Sequence, residues 1–286
     1  MIVAKSGLLT TVQDLGRWGY QSFGVSVAGP MDRFSHRLAN LLVGNSTSAA
    51  GLEITLLGPD IEFQDDVRCA VTGAEFEIFV DDNRMPLNAA WIVPKSAHLR
   101  FGERRRGARA YLAIAGGLDV PQVLGSRATH LATGMGGYRG RHLQAGDRLK
   151  IGQASSTQLS RMLQIQSVVS LPSKNIRLRV ILGPQDQMFS KEALLTFQSS
   201  RYQVSSESNR MGYRLLGPSI ASDKADQLLS DATPMGSIQV PASGKPIILM
   251  ADGQTAGGYP KIATVITADL PLAGQLMPGD WITFDV

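Results

Sequence analysis

Along most of its length the chain alternates short apolar runs with turn-forming residues. Leu52–Leu57, Arg68–Val71, Glu75–Val80, Tyr111–Ala115, Ile176–Leu182, Ile247–Met250 and Ile262–Thr267 are each bounded by Gly, Pro, Asn or Asp, the signature of strands. Two segments carry helical spacing instead. After Gly29-Pro30-Met31-Asp32, the residues Phe34, Leu38, Leu41 and Leu42 recur at helical intervals, with Asp32 as the natural N-cap and Gly44-Asn45 as the stop. Gln187–Phe197 is a second, less regular candidate. Strands following strands without intervening helices predict a mainly β protein built from barrels or sandwiches, with few short helices. Asp81-Asp82-Asn83 is expected to be a hairpin turn, and His36 is expected on the polar face of the first helix.

The pattern divides into halves. Leu143-x-x-Gly146-Asp147-x-Leu149-x-Ile151 ends the first and Leu276-x-x-Gly279-Asp280-x-Ile282-x-Phe284 ends the second, each a turn feeding an alternating strand. Upstream, Tyr111–Gly117 and Ile248–Gly253 match in character. Between the halves, a Ser- and Gln-rich stretch ends in Leu171-Pro172-Ser173, which reads as a connector. The expected organisation is an N-terminal β domain over 1–155, a linker over 156–175 and a C-terminal β domain over 176–286. A length of 286 residues with 43% apolar content allows two such cores.

Charged residues make up 18% of the chain, below the usual quarter, and 30 glycines favour turns over long solvated helices. The net charge of +4 is scattered apart from Arg104-Arg105-Arg106, so no phosphate-tracking stripe forms and nucleic acid is excluded as an expected partner. That triplet is bracketed by Gly102 and Gly107 and reads as a solvated hairpin tip. A lone Cys69 inside an apolar run favours a reducing compartment and a buried, unreactive thiol. Met1–Thr10 lacks the apolar stretch of a signal peptide, and no segment approaches the 18 apolar residues of a membrane span; the expected location is the cytoplasm.

No phosphate-binding loop, nucleophile elbow or His-Glu-x-x-His helix is present, and the four histidines show no metal-ligand spacing. Gly134-Met135-Gly136-Gly137-Tyr138-Arg139-Gly140 lacks the spacing and βαβ context of a dinucleotide loop and reads as a flexible loop. Two C-terminal segments are harder to attribute to packing. Ser206–Arg214 offers amide, hydroxyl and two guanidinium donors in one short run, and Ala251–Lys261 sets hydrogen-bonding side chains among three glycines that admit a ligand close to the backbone. Such groups suit an amide or carboxylate ligand, which needs donors for an oxyanion, an acceptor for an N–H and a cation for developing charge.

Ser208-Asn209-Arg210-Met211-Gly212-Tyr213-Arg214-Leu215 and Asp252–Ile262 resemble signature stretches of the allophanate hydrolase subunit 2 family, which includes the C subunit of 5-oxoprolinase, the antagonist of a sporulation kinase inhibitor and the carboxyltransferase domain of urea carboxylase. Thr11–Tyr20, Gly29–Asp32, Leu38–Asn45, Leu52–Thr55 and Tyr111–Gly117 extend the resemblance over essentially the whole chain. It implies two cyclophilin-like β-barrel domains and one component of an ATP-dependent complex that, with the A and B subunits of 5-oxoprolinase, opens the lactam of 5-oxo-L-proline to L-glutamate and is inactive alone. The B subunit is the implied direct partner, a small amide or lactam the substrate, and ATP a cofactor of the complex. The resemblance leaves two alternatives: a regulatory protein that sequesters a kinase inhibitor resembling the B subunit, and a carboxyltransferase acting on a urea-like amide. No biotin-accepting Met-Lys-Met segment is present, so biotin would arrive in trans.

On this reading Arg210 and Lys261 stabilise charge, Gln254 and Asn209 orient the amide, Asp252 is a candidate general base, and Tyr259 forms a hydrogen-bonding wall. Tyr213, Thr255, Gly257 and Gly258 complete the expected substrate-binding set. The chain departs from the family pattern at Ala256, where a threonine is usual, at Gly274, and in ending at Val286 without the extension of some members.

Overall fold

The computed structural model describes residues 1–154, 171–172, 175–222 and 228–286. The expected linker therefore lies outside the described residues except for Leu171, Pro172 and Asn175. The chain forms two compact units, one of Met1–Arg17 with Ala28–Leu171 and the other of Trp18–Val27 with Pro172–Val286. Both are mainly β.

The first unit is an eight-stranded sheet organised on two long antiparallel strands, Val67–Val80 and His98–Ile114. Gly51–Thr55 and Asp60–Glu62 pair with His98–Ile114, and Asn83–Met85 and Ala90–Val93 with Val67–Val80. The two runs expected as Arg68–Val71 and Glu75–Val80 are thus one strand. Val80 pairs with Asn83 across Asp81-Asp82, with Asp81 at φ +51°, so the expected turn is present. The helix Arg33–Val43 packs on the long strands. Asp32 caps it, accepting from Ser35 N at 2.9 Å and Ser35 Oγ at 2.6 Å, and Gly44 ends it at φ +84°.

Two expectations for this unit need correction. Gly102–Gly107 is not a hairpin tip but a bulged stretch inside His98–Ile114, opposite Glu75–Ile78. The charges sit mid-strand because Arg105 and Arg106 face acids on the neighbouring strand: Arg106 grips Glu75 through Nη2 at 2.6 Å and Nε at 3.0 Å, and Arg105 Nη2 reaches Glu77 at 3.0 Å. His36 is buried rather than on a polar face; its Nε2 donates to the Gln13 carbonyl at 3.1 Å, and its ring stands edge-on to Tyr111. Cys69 is fully buried, and burial pushes its thiol pKa up. Gly134–Gly140 is tied down by His130–Met135 pairing and by Gly137 N to Arg127 O.

In the second unit seven strands close a barrel in the order Asn175–Leu182, Lys261–Val265, Ser237–Gln239, Ile247–Leu249, Gly212–Leu216, Tyr202–Val204, Trp281–Asp285 and back to the first. Leu178, Val180, Tyr213, Leu215, Ile238, Ile248 and Ile262 fill its interior, and Phe197 of the helix Lys191–Ser199 stacks on Phe284 at 4.5 Å. That helix begins four residues later than expected because Ser190 caps it, accepting from Ala193 N, while Asp186–Met188 forms a separate 3₁₀ turn.

The internal repeat is structural. Gly146 N donates to Val3 O at 2.8 Å and Val3 N to Asp147 O at 2.9 Å; Gly279 N donates to Val204 O at 2.9 Å and Val204 N to Asp280 O at 2.9 Å. In each turn the aspartate side chain accepts from a backbone N–H three residues earlier, Gln144 at 2.8 Å and Met277 at 2.9 Å. Each unit thus closes by clasping its own strand in the same way.

Candidate functional site

The two polar C-terminal segments meet within the second unit. Arg210 donates through Nε to Asp252 Oδ2 and through Nη2 to Asp252 Oδ1, both at 2.9 Å, and Asp252 N donates to Arg210 O at 2.9 Å. The two side chains are 3% and 2% exposed, a planar fork-to-carboxylate pair shielded from solvent. Met250 N to Met211 O and Asn209 Oδ1 accepting from Met211 N continue the stitching. Ser26 Oγ, from the segment Trp18–Val27, donates to Gly253 O at 2.9 Å.

The segment Asp252–Lys261 is held from its other side by a short ribbon. Asp231–Ala232 pairs with Ala256–Gly257, Thr233 N donates to Thr255 O, and Thr233 Oγ1 to Gln254 O at 2.6 Å. At the foot of this ribbon Lys261 Nζ lies 2.5 Å from Asp231 Oδ2 and 2.5 Å from Ala232 O, and Gln185 Nε2 reaches the same Asp231 oxygen at 3.1 Å. The Lys261 and Gln185 hydrogen bonds hold the Asp231 carboxyl below its usual range.

Between the segments lies a cavity of about 400 Å³ on the outer face of the barrel. The period of two along each strand decides which side chains reach it. Gly212 and Arg214 alternate with the inward Tyr213 and Leu215, while Ile247 and Leu249 flank the inward Ile248. Gln239 completes the floor, and Asn209, Met211, Gln254 and Tyr259 stand around it. Gln239 Nε2 donates to Tyr259 O at 3.2 Å, fixing one amide under the wall residue. Gly257 sits beneath two carboxamides: a Cβ there would lie 2.5 Å from Gln254 Nε2 and 2.8 Å from Gln239 Nε2. Gly258 is open, with Ser230 Oγ 4.0 Å from the corresponding point.

Of the residues expected at a site, Asn209, Gln254 and Tyr259 therefore share one cavity, with Gly257 immediately below. Arg210 and Asp252 engage each other, Lys261 engages Asp231, Tyr213 lies in the barrel interior, and Thr255 contributes its carbonyl to the ribbon. Sequence reasoning did not assign Gln239, Asp231, Gln185 or Ser26, whose positions depend on contacts between segments distant in sequence. Arg214 belonged to the polar run, and its strand phase is what separates it from Tyr213. Among the described residues no cluster of three metal-ligating side chains occurs, and no helix is long and apolar enough to cross a membrane.

The family described as carboxyltransferase domain, subdomain A and B, matches residues 23–286. The chain is 43% identical over 284 residues to the C subunit of 5-oxoprolinase from Escherichia coli, covering 99% of this chain and 89% of that protein. It is 38% identical to the C subunit of the Haemophilus influenzae 5-oxoprolinase, covering 96% and 87%. It is 37% identical to the urea amidolyase of Lachancea kluyveri, covering 99% of this chain but 16% of that protein. Among solved structures, the urea carboxylase of Kluyveromyces lactis superposes with a TM-score of 0.91 at 35% identity, covering 99% of this chain and 27% of that one.

Proposed function

Because the chain belongs to the carboxyltransferase domain family, subdomains A and B, we propose that it is a cytoplasmic component of an ATP-dependent 5-oxoprolinase, acting with the A and B subunits on the lactam of 5-oxo-L-proline to give L-glutamate. The observation that carries this reading is coverage. The chain spans 89% and 87% of two relatives named as the C subunit of that enzyme, whereas it corresponds to 16% of a urea amidolyase.

The cavity suits the reading chemically. A lactam presents one carbonyl acceptor and one N–H donor, and a carboxamide can answer both. Gln254 and Gln239 sit over Gly257, and Asn209 lines the same cavity. We assign Gln254 and Asn209 to orienting the amide and Tyr259, 47% exposed, to the wall. Arg210 and Asp252 then act on the loops: their buried pair holds Asn209 and Gln254 at a fixed separation, the positioning on which reaction of a bound amide depends. Lys261 does the same for the ribbon through Asp231.

The described residues around the cavity do not fit a nucleoside triphosphate. A triphosphate needs several cations or a run of converging backbone N–H groups, and Arg214 is the one charged side chain among the described lining residues. ATP is accordingly assigned to the partner proteins. Carboxyl transfer is the second reading, favoured by the urea carboxylase superposition; the same carboxamides would match a ureido group, with biotin arriving on another chain.

The test is glutamate release from 5-oxo-L-proline and ATP by this chain mixed with the purified A and B subunits, with each omitted in turn. Release that requires all three is expected. Stable association without release, or release in the absence of this chain, overturns the assignment.

A further inference from the structure

We propose that Arg214 binds the substrate's carboxylate, making the cavity prefer an anionic lactam over its neutral amide. The inference rests on the lactam reading above and concerns a residue to which that reading gives no role.

Arg214 is placed with care. Its strand phase turns it outward between Gly212 and Leu216, and its backbone is clamped on both sides, with Ser205 N donating to its carbonyl at 2.9 Å and its own N–H donating to Ser208 Oγ at 3.1 Å. Its side chain is 56% exposed and lines the cavity directly. The acid nearest to it is Glu207, whose Oε2 lies 3.8 Å from Arg214 Nε, beyond hydrogen-bonding range, on a side chain 77% exposed. The pair is loose and solvent-screened. The contrast is with Arg210, four residues away, whose fork is filled by Asp252.

A guanidinium fork without a tight carboxylate partner, opening on a cavity, is complementary to a carboxylate in two parallel N–H···O bonds. The remaining lining divides the ligand's other chemistry. Ile247 and Leu249 give an apolar floor for ring methylenes, and the carboxamides of Gln254, Gln239 and Asn209 answer the amide. A ligand satisfying all three regions carries a carboxylate, an amide and a short aliphatic ring. The neutral amide of such a ligand forgoes the charge-assisted pair with the guanidinium, which water then solvates, so the acid binds more tightly.

The experiment compares Arg214→Gln and Glu207→Gln with the unaltered chain in the reconstituted complex, reading kcat and KM for 5-oxo-L-proline. In parallel, binding of 5-oxo-L-proline and of its uncharged amide, 5-oxoprolinamide, to the full chain is followed by ligand-observed NMR. Arg214→Gln is expected to raise KM about ten- to a hundredfold, the usual range for a charged hydrogen bond, with kcat within a few-fold, and to abolish the preference for the acid over its amide. Glu207→Gln, which removes the competing acid, is expected to leave KM equal or lower and keeps the idea testable should the arginine variant fail to fold. An active complex whose KM is indifferent to Arg214→Gln, or a Glu207→Gln variant with a raised KM, overturns the role of Arg214 and leaves the lactam reading standing. A complete complex without turnover overturns that reading, and equal binding of acid and amide by the chain overturns the carboxylate site independently.

Discussion

Arg210 and Asp252 are joined three times: twice through side chains at 2.9 Å and once through the Asp252 N–H to the Arg210 carbonyl, also at 2.9 Å. The arrangement makes the pair a fastener between two loops. Removing one partner leaves a charge buried without its counter-ion, a loss of about 3–5 kcal/mol, whereas replacing both with apolar residues costs far less. Arg210→Leu and Asp252→Leu should each destabilise the chain by about that amount in urea unfolding, and the double variant should be more stable than either single one. Additive losses in that cycle would mean the two side chains are not energetically coupled.

Two adjacent glycines should behave differently. At Gly257 a methyl group collides with Gln254 Nε2 and Gln239 Nε2, both ends of flexible side chains, so the chain should fold and the carboxamides should move. At Gly258 the space is open and no left-handed conformation is required. Gly257→Ala is therefore expected to cut turnover of the complex at least tenfold with little change in melting temperature, and Gly258→Ala to leave both near the original values. Equal effects at the two positions would remove the carboxamides from the site.

Three of the barrel's strands were legible as short apolar runs bounded by turn residues, Ile176–Leu182, Ile247–Met250 and Ile262–Thr267, whereas Gly212–Leu216 follows a polar run and Ser237–Gln239 holds a single apolar residue, so neither read as a strand. The helix after Asp32 was legible for the same local reason, its cap and stop being written within one segment. What escaped was non-local. Arg104–Arg106 resembled a turn because its acidic partners lie about thirty residues away on another strand, and His36 resembled a surface residue because the Gln13 carbonyl that accepts from it comes from a distant strand. At the site, residue type brought Asn209, Gln254 and Tyr259 together, but only strand phase distinguishes the inward Tyr213 from the outward Arg214.

His36 makes stability depend on pH. Burial lowers its pKa, outweighing the Gln13 carbonyl and the Asp14 and Glu53 charges, which act to raise it. Below the ordinary histidine value, about 6.5, the unfolded chain takes up a proton that the folded chain refuses. The stability this site allows is thus complete above about pH 6.5 and falls as the pH drops, by at most about 1.4 kcal/mol per pH unit. In His36→Gln that part of the slope should vanish between about pH 6.5 and 5.5, read as the difference between the two denaturation series. Parallel series would show that His36 titrates alike in both states.

Gly146 and Gly279 test whether the internal repeat is energetic as well as geometric. They stand at φ +87° and +93°, each in a turn that clasps a buried valine, Val3 or Val204, and at neither would a Cβ meet an atom within 4 Å. With no steric contact to relieve, an alanine at either position feels only the left-handed backbone, a penalty of about 1–2 kcal/mol. Gly146→Ala and Gly279→Ala should therefore lose similar amounts of stability, each within that range, in separate thermal unfolding experiments. A near-zero loss at one and a full loss at the other would show that one turn can relax to negative φ while still holding its strand. The matching hydrogen bonds of the two turns would then be a likeness of shape without a likeness in what they contribute to folding.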